Sequence, residues 1–184
     1  MATTKHILVA LVKDKPGVLN RMASLFRRRG FNIESIAVGQ SEVPNMSRMT
    51  FVVNGAATMV EQVRKQLDKV VETVKVSDIT GDNIVDRELA FIKVKANSAN
   101  RSEIIQIVDI FRANIVDVAP DSVIIEATGD EEKINSLLNL VRGFGIKEIA
   151  RTGRIAMTRG GKGPLPVTKQ PPRTLAKKQQ KPTK

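Results

Sequence analysis

Asp14-Lys15-Pro16-Gly17-Val18-Leu19 is the stretch of this sequence best built to hold a ligand. An apolar run, His6 to Val12, precedes it and reads as a buried strand. Behind it, Val18, Leu19, Met22, Leu25 and Phe26 recur at the spacing of one helix face. The six residues are therefore a strand-to-helix turn. Pro16 fixes φ and lacks an N–H, which suits the first turn of a helix. Gly17 has no Cβ, so another group can approach its backbone. The N–H groups of Gly17, Val18 and Leu19 then point out of a helix N-terminus, where the dipole favours an anion such as a carboxylate. An ordinary, well-capped turn would read the same way.

Catalytic chemistry has little to work with. The sole histidine, His6, opens the first strand and reads as structural or exposed. There is no cysteine, hence no disulfide, thiolate nucleophile or Cys-based zinc site. No cluster has metal-ligand spacing. Gly160-Gly161-Lys162-Gly163 lacks the full glycine spacing and the Ser/Thr of a phosphate loop. Glu34 and Glu42 form no evident carboxylate pair. Catalysis within this chain is not expected.

The elements that must position the turn follow in order. Arg27, Arg28 and Arg29 suit the negative end of the first helix, and Gly30 its C′ position. Phe31–Ser41 and Ser47–Asn54 read as strands around a turn at Glu42–Asn45. Val60, Val63, Leu67 and Val70 mark a second helix, and Val71–Ile79 a further strand. This β-α-β-β-α-β order is ferredoxin-like, with an antiparallel sheet and both helices on one face. Gly81 to Arg87 reads as a linker. The order then repeats: strand Leu89–Ala96, a stripe of Ile104, Ile105, Val108 and Phe111, strands Ile115–Val118 and Ser122–Thr128, a stripe of Ile134, Leu137, Leu138 and Val141, and a last strand Ile146–Met157 bending at Gly153. Leu25-Phe26-Arg27 matches Ile110-Phe111-Arg112, each followed within a few residues by Asn-Ile. The second copy has Asn97-Ser98-Ala99-Asn100 in place of the glycine turn, so no second ligand site is expected there.

The expected class is α+β: two tandem βαββαβ domains at 1–80 and 88–157, a linker at 81–87, and a basic tail at 158–184. The net charge of +11 is concentrated in that tail, which holds eight Lys/Arg, no Asp or Glu and five of the eight prolines. Such composition reads as disordered and solubilising. Only +3 remains for residues 1–157. RNA-binding domains share the element order but stack bases on strand aromatics, and Tyr and Trp are absent here, so nucleic acid is not expected as a partner. No run of 18 apolar residues would span a membrane, and no signal or transit segment opens the sequence, so a cytoplasmic location is expected.

The first copy resembles an ACT domain, a small-molecule-sensing module. Residues 5–157 resemble the small regulatory subunit of acetohydroxyacid (acetolactate) synthase. The resemblance is carried by Asp14–Leu19, Arg29–Ile36, Ser47–Thr50, Val85–Leu89, Ile110–Arg112, Ile115–Val118 and Ile149–Gly153. It implies a non-catalytic subunit in branched-chain amino acid biosynthesis. Such a subunit activates the catalytic large subunit and confers feedback inhibition by valine. It carries no cofactor itself; thiamine diphosphate, Mg and FAD belong to the catalytic partner. The resemblance further implies a homodimer through the ACT domain, with valine held between protomers. Carried over, the valine-binding residues are Asp14, Lys15, Pro16, Gly17, Val18, Leu19, Asn32 and Ile33, with Asn32 contributed across the dimer. Many relatives carry Asn at the position of Asp14; Asp accepts a hydrogen bond from an ammonium but donates none to a carboxylate. Two alternatives are a free-standing amino-acid-binding ACT regulator of another enzyme and a nucleic-acid binder acting through the tail.

Overall fold

The structure, a computed structural model, describes residues 4–28, 30–161, 163 and 165. The first half runs β1 (Thr4–Lys13), α1 (Val18–Arg28), β2 (Ile33–Gln40), β3 (Met46–Gly55), α2 (Ala57–Leu67) and β4 (Thr73–Asp78). Its antiparallel sheet has the order β2-β3-β1-β4. The second half runs β5 (Ile84–Lys95), α3 (Arg101–Ile110), β6 (Asn114–Ala119), β7 (Ser122–Gly129), α4 (Glu131–Val141) and β8 (Ile146–Arg151), followed by β9 (Ile155–Thr158). Its sheet has the order β6-β7-β5-β8, with β9 also paired to β5. Both halves are the expected split βαββαβ arrangement.

Alternation along the strands decides which residues meet the helices. In the first half Leu8, Ala10 and Val12 of β1 join Met49, Phe51 and Val53 of β3 beneath Val18, Met22, Phe26, Val60, Val63 and Leu67. The rings of Phe26 and Phe51 lie 5.1 Å apart in a tilted pair. Leu19, expected on the buried stripe, is instead 46% exposed. Val70 lies beyond the end of α2 and is half-buried. The second half repeats the plan, with Ala90, Ile92 and Val94 under Ile104, Val108, Ile134, Leu137 and Val141. Ile105, expected on that stripe, is 40% exposed.

The other face of β1 is also buried, which explains its unbroken apolar run. Ile7, Val9 and Leu11 pack with Ile79, Ala156 and Leu165. The cover comes from the second half. Residues 84–87, expected as a linker, are the first part of β5 and pair with β9 from Ile84↔Thr158 to Arg87↔Ile155. They form strand because β9 gives their backbone a ladder partner, and Ile84 packs against the far-face cluster. The expected last strand Ile146–Met157 is therefore two. β8 pairs with Ala90–Val94 of β5, β9 pairs with residues 84–87, and the chain turns between them at Gly153, φ 81°.

The expected tail is also shorter than 158–184. Thr158 closes β9, Arg159 N–H donates to the Asn83 carbonyl at 2.8 Å, and Leu165 is buried. Residues 166–184 lie outside the described residues.

The repeat has a sharper register than its tripeptide match. At the end of α1, Phe31 N–H donates to the Phe26 carbonyl at 3.0 Å across Gly30 (φ 70°). At the end of α3, Ala113 N–H donates to the Val108 carbonyl at 3.0 Å across Arg112 (φ 48°). These are the same helix stop. Each is followed by a bulge, between Ile33 and Ser35 on β2 and between Ile115 and Asp117 on β6. The copies are thus offset by 82 residues (30 to 112, 33 to 115), and Leu25-Phe26-Arg27 falls three residues out of register with Ile110-Phe111-Arg112.

Candidate functional site

The turn 14–17 lies between β1 and α1, as its residues predict. Its start is pinned: Lys13 N–H donates to the Glu72 carbonyl at 2.8 Å and Asp14 N–H to the Asn45 carbonyl at 2.9 Å. Gly17 occupies the left-handed region at φ 83° and accepts the first helical bond from Arg21 N–H at 3.0 Å. Gly17 is therefore the N-cap, and a side chain there would be strained whatever space surrounded it. A Cβ at Gly17 would have nothing within 4 Å, so the approach to this backbone is open.

Three free N–H groups are expected at this end; the structure leaves fewer. Val18 N–H donates to the Lys15 carbonyl at 3.4 Å, a long bond that closes the turn. Among the described residues the N–H groups of Gly17 and Leu19 have no hydrogen-bond partner. Asp14, Lys15, Pro16 and Gly17 are exposed, and so is Leu19, while Val18 anchors the turn in the core. Arg21 is engaged by Glu72, whose carboxyl the guanidinium holds below its ordinary value. Lys15 makes no ion pair among the described residues.

Asn32 and Ile33 stand elsewhere. Asn32 is exposed just before β2, and Ile33 turns its side chain against the core. Ile33 pairs with Val53, which pairs with His6, whereas Lys13 at the turn pairs with Met46. The seven residue steps from His6 to Lys13 separate them by roughly 23 Å. One chain therefore does not bring the turn and Asn32 together.

His6 is buried and structural. Its Nδ1 lies 2.9 Å from Asp78 Oδ2 and its Nε2 3.1 Å from Thr4 Oγ1. Burial pushes the Asp78 carboxyl up, but hydrogen bonds from Thr80 and His6 outweigh it and hold the group low. Among the described residues no group of three or more His, Asp or Glu side chains is placed to hold a metal ion. No described helix is long and apolar enough to cross a membrane.

Sequence reasoning missed a junction between the halves. Ser35 and Ile36 of β2 meet Gly153 and Arg154, and Arg154 N–H donates to Ser35 Oγ at 2.8 Å. Lys5 Nζ bridges Glu34 and Glu131 at 2.5 Å each, and Arg154 reaches Glu131 and Asp86. Arg48, its guanidinium lowered by burial, donates to the Ala156 carbonyl at 2.9 Å. The one available signal was Gly153 inside a strand pattern, a mark of bending or close backbone approach.

Comparison with known proteins places this geometry in a family. Residues 8–75 match the ACT domain of acetohydroxyacid synthase small subunits, and residues 87–160 match the family described as the small subunit of acetolactate synthase. A probable acetolactate synthase small subunit of Archaeoglobus fulgidus is 57% identical over 158 residues, covering 86% of this chain and 99% of that one. The acetolactate synthase small subunit of Mycobacterium bovis is 48% identical over 163 residues, covering 89% and 97%. The crystal structure of the Thermotoga maritima acetolactate synthase small subunit aligns with a TM-score of 0.79 at 44% identity, covering 86% of this chain and 99% of that one.

Proposed function

The chain belongs to the acetolactate synthase small-subunit family, and from that premise we propose that it is the valine sensor of its holoenzyme. As a small subunit it has a regulatory role beside a catalytic large subunit. The finer reading is that it raises the activity of that thiamine-diphosphate-dependent partner and lowers it again when valine binds. Thiamine diphosphate, Mg and FAD then reside on the partner, and the complex works in the cytoplasm in branched-chain amino acid biosynthesis.

The observation that carries this reading is the turn. Gly17 at φ 83° leaves an open approach to the start of α1. The N–H groups of Gly17 and Leu19 can take the valine carboxylate there, and Asp14 can accept from its ammonium. The roughly 23 Å between this turn and Asn32 in one chain supports a homodimer, with Asn32 and the backbone of Ile33 supplied by the second copy. On this reading residues 1–80 sense the effector and residues 88–157 complete the assembly.

The test is calorimetric titration of the full chain with L-valine, with D-valine as control, beside the variant Gly17→Asp. Saturable binding of the L form only, absent from Gly17→Asp, is expected. In reconstituted holoenzyme the same variant is expected to activate without responding to valine. Binding retained in Gly17→Asp overturns this placement of the site. Valine binding with no effect on the catalytic subunit turns the assignment to a free-standing amino-acid regulator.

A further inference from the structure

We infer that the contact of Ser35 and Ile36 with Gly153 and Arg154 is the joint through which effector binding reaches the second half of the chain. The inference rests on the valine reading above and concerns what happens after valine binds.

β2 begins immediately after Asn32, the residue assigned to the effector, and its bulge lies between Ile33 and Ser35. It is an edge strand, laddered on one side only, by β3. Its first residues are instead tied to the second half. Ser35 Oγ takes the Arg154 N–H at 2.8 Å. A Cβ on Gly153 would lie 2.7 Å from the Ile36 carbonyl oxygen and 2.9 Å from Ser35 Oγ, so the two backbones touch with no slack. Glu34 is bound through Lys5 to Glu131 at the first residue of α4.

Residues 152–154 are the hinge between β8, which lies in the second sheet, and β9, which covers the far face of the first. A shift of the start of β2 by a few tenths of an ångström therefore has to move the hinge, because close-packed backbone does not compress. The cavity of about 340 Å³ at this junction is not itself an effector site. Its charged groups satisfy one another, with Arg154 on Glu131 and Asp86, and Arg151 on Glu88.

The test uses Ser35→Ala and Gly153→Ala in the full chain, each reconstituted with the catalytic large subunit. L-valine binding is measured by calorimetry and acetolactate formation is followed with and without valine. Valine affinity and valine-free activation are expected within about twofold of wild type, while the inhibition reached at saturating valine falls at least about fivefold. Wild-type inhibition in both variants overturns the inference. Loss of valine binding in both also overturns it, because the residues then belong to the binding site itself. Should Gly153→Ala not fold, Ser35→Ala decides alone, since it removes one hydroxyl and needs no space. No valine binding by the wild-type chain overturns the underlying reading, and the inference falls with it.

Discussion

Gly17, Gly30 and Arg112 share a backbone conformation that costs an L side chain about 1–2 kcal/mol, yet one of them is an arginine. Arg112 occupies in α3 the stop that Gly30 occupies in α1. Arg112→Gly is therefore expected to stabilise the fold by about 0.5–1 kcal/mol, net of the greater freedom glycine has when unfolded. Chemical denaturation read at constant m-value checks it; a loss of stability would show that the arginine side chain contributes more than its backbone costs. Gly17→Ala should do the opposite, costing about 1 kcal/mol through φ alone, because its methyl would meet open space. The same denaturation series measures it. The turn was legible from six residues because Pro and Gly carry their conformational meaning locally. The partner of the Val18 N–H was not, since it depends on how tightly the Lys15 carbonyl folds back.

The helices and β5 were readable because burial on one face leaves a period in the sequence, and β1 because burial on both faces leaves an unbroken apolar run. β9 was not, because its four residues owe their conformation to residues about 70 positions away, with which they pair. The start of β5 was hidden for the same reason, and polar Asp86 and Arg87 disguised it as linker. The copies' register was obscured by chance similarity of Leu-Phe-Arg and Ile-Phe-Arg; the helix stops and bulges fix it instead. Ala156 is the central test of the cover. It is 5% exposed against Ile7, Val9 and Leu11. Ala156→Asp is expected to cost roughly 2–4 kcal/mol by placing an unpaired carboxylate there. Thermal unfolding reads this loss, and an unchanged midpoint would mean the ribbon lifts away at little cost.

Taken whole, the molecule is two similar units joined by charge as well as by packing. Glu131 is held below its ordinary 4.5 chiefly by the hydrogen bond from Lys5, with Arg154 adding to it. Lys5 is raised above 10.5, chiefly by Glu131 and then Glu34. A depressed carboxyl contributes stability above its unfolded value and loses it as pH falls through the folded one. A raised amine contributes below its unfolded value and loses it as pH rises through the folded one. The joint is therefore complete between those limits and opens first at the acid end. Glu131→Gln should melt below wild type at pH 7, and the two melting curves should converge as pH falls below 4.5 and through the lower folded value. A difference that does not shrink as the carboxyl is protonated would assign the loss to packing rather than charge.

The cover of the first sheet also sets a timetable. β4 completes that sheet at Asp78, but β9 leaves the ribosome only about 80 residues later. At about 5–20 residues per second the interval lasts roughly 4–16 s. Throughout it the nascent first unit holds Ile7, Val9 and Leu11 without the cover of Ala156 and Leu165, with Ile79 in place beside them. That face is the part of the growing chain on which a ribosome-associated chaperone would act.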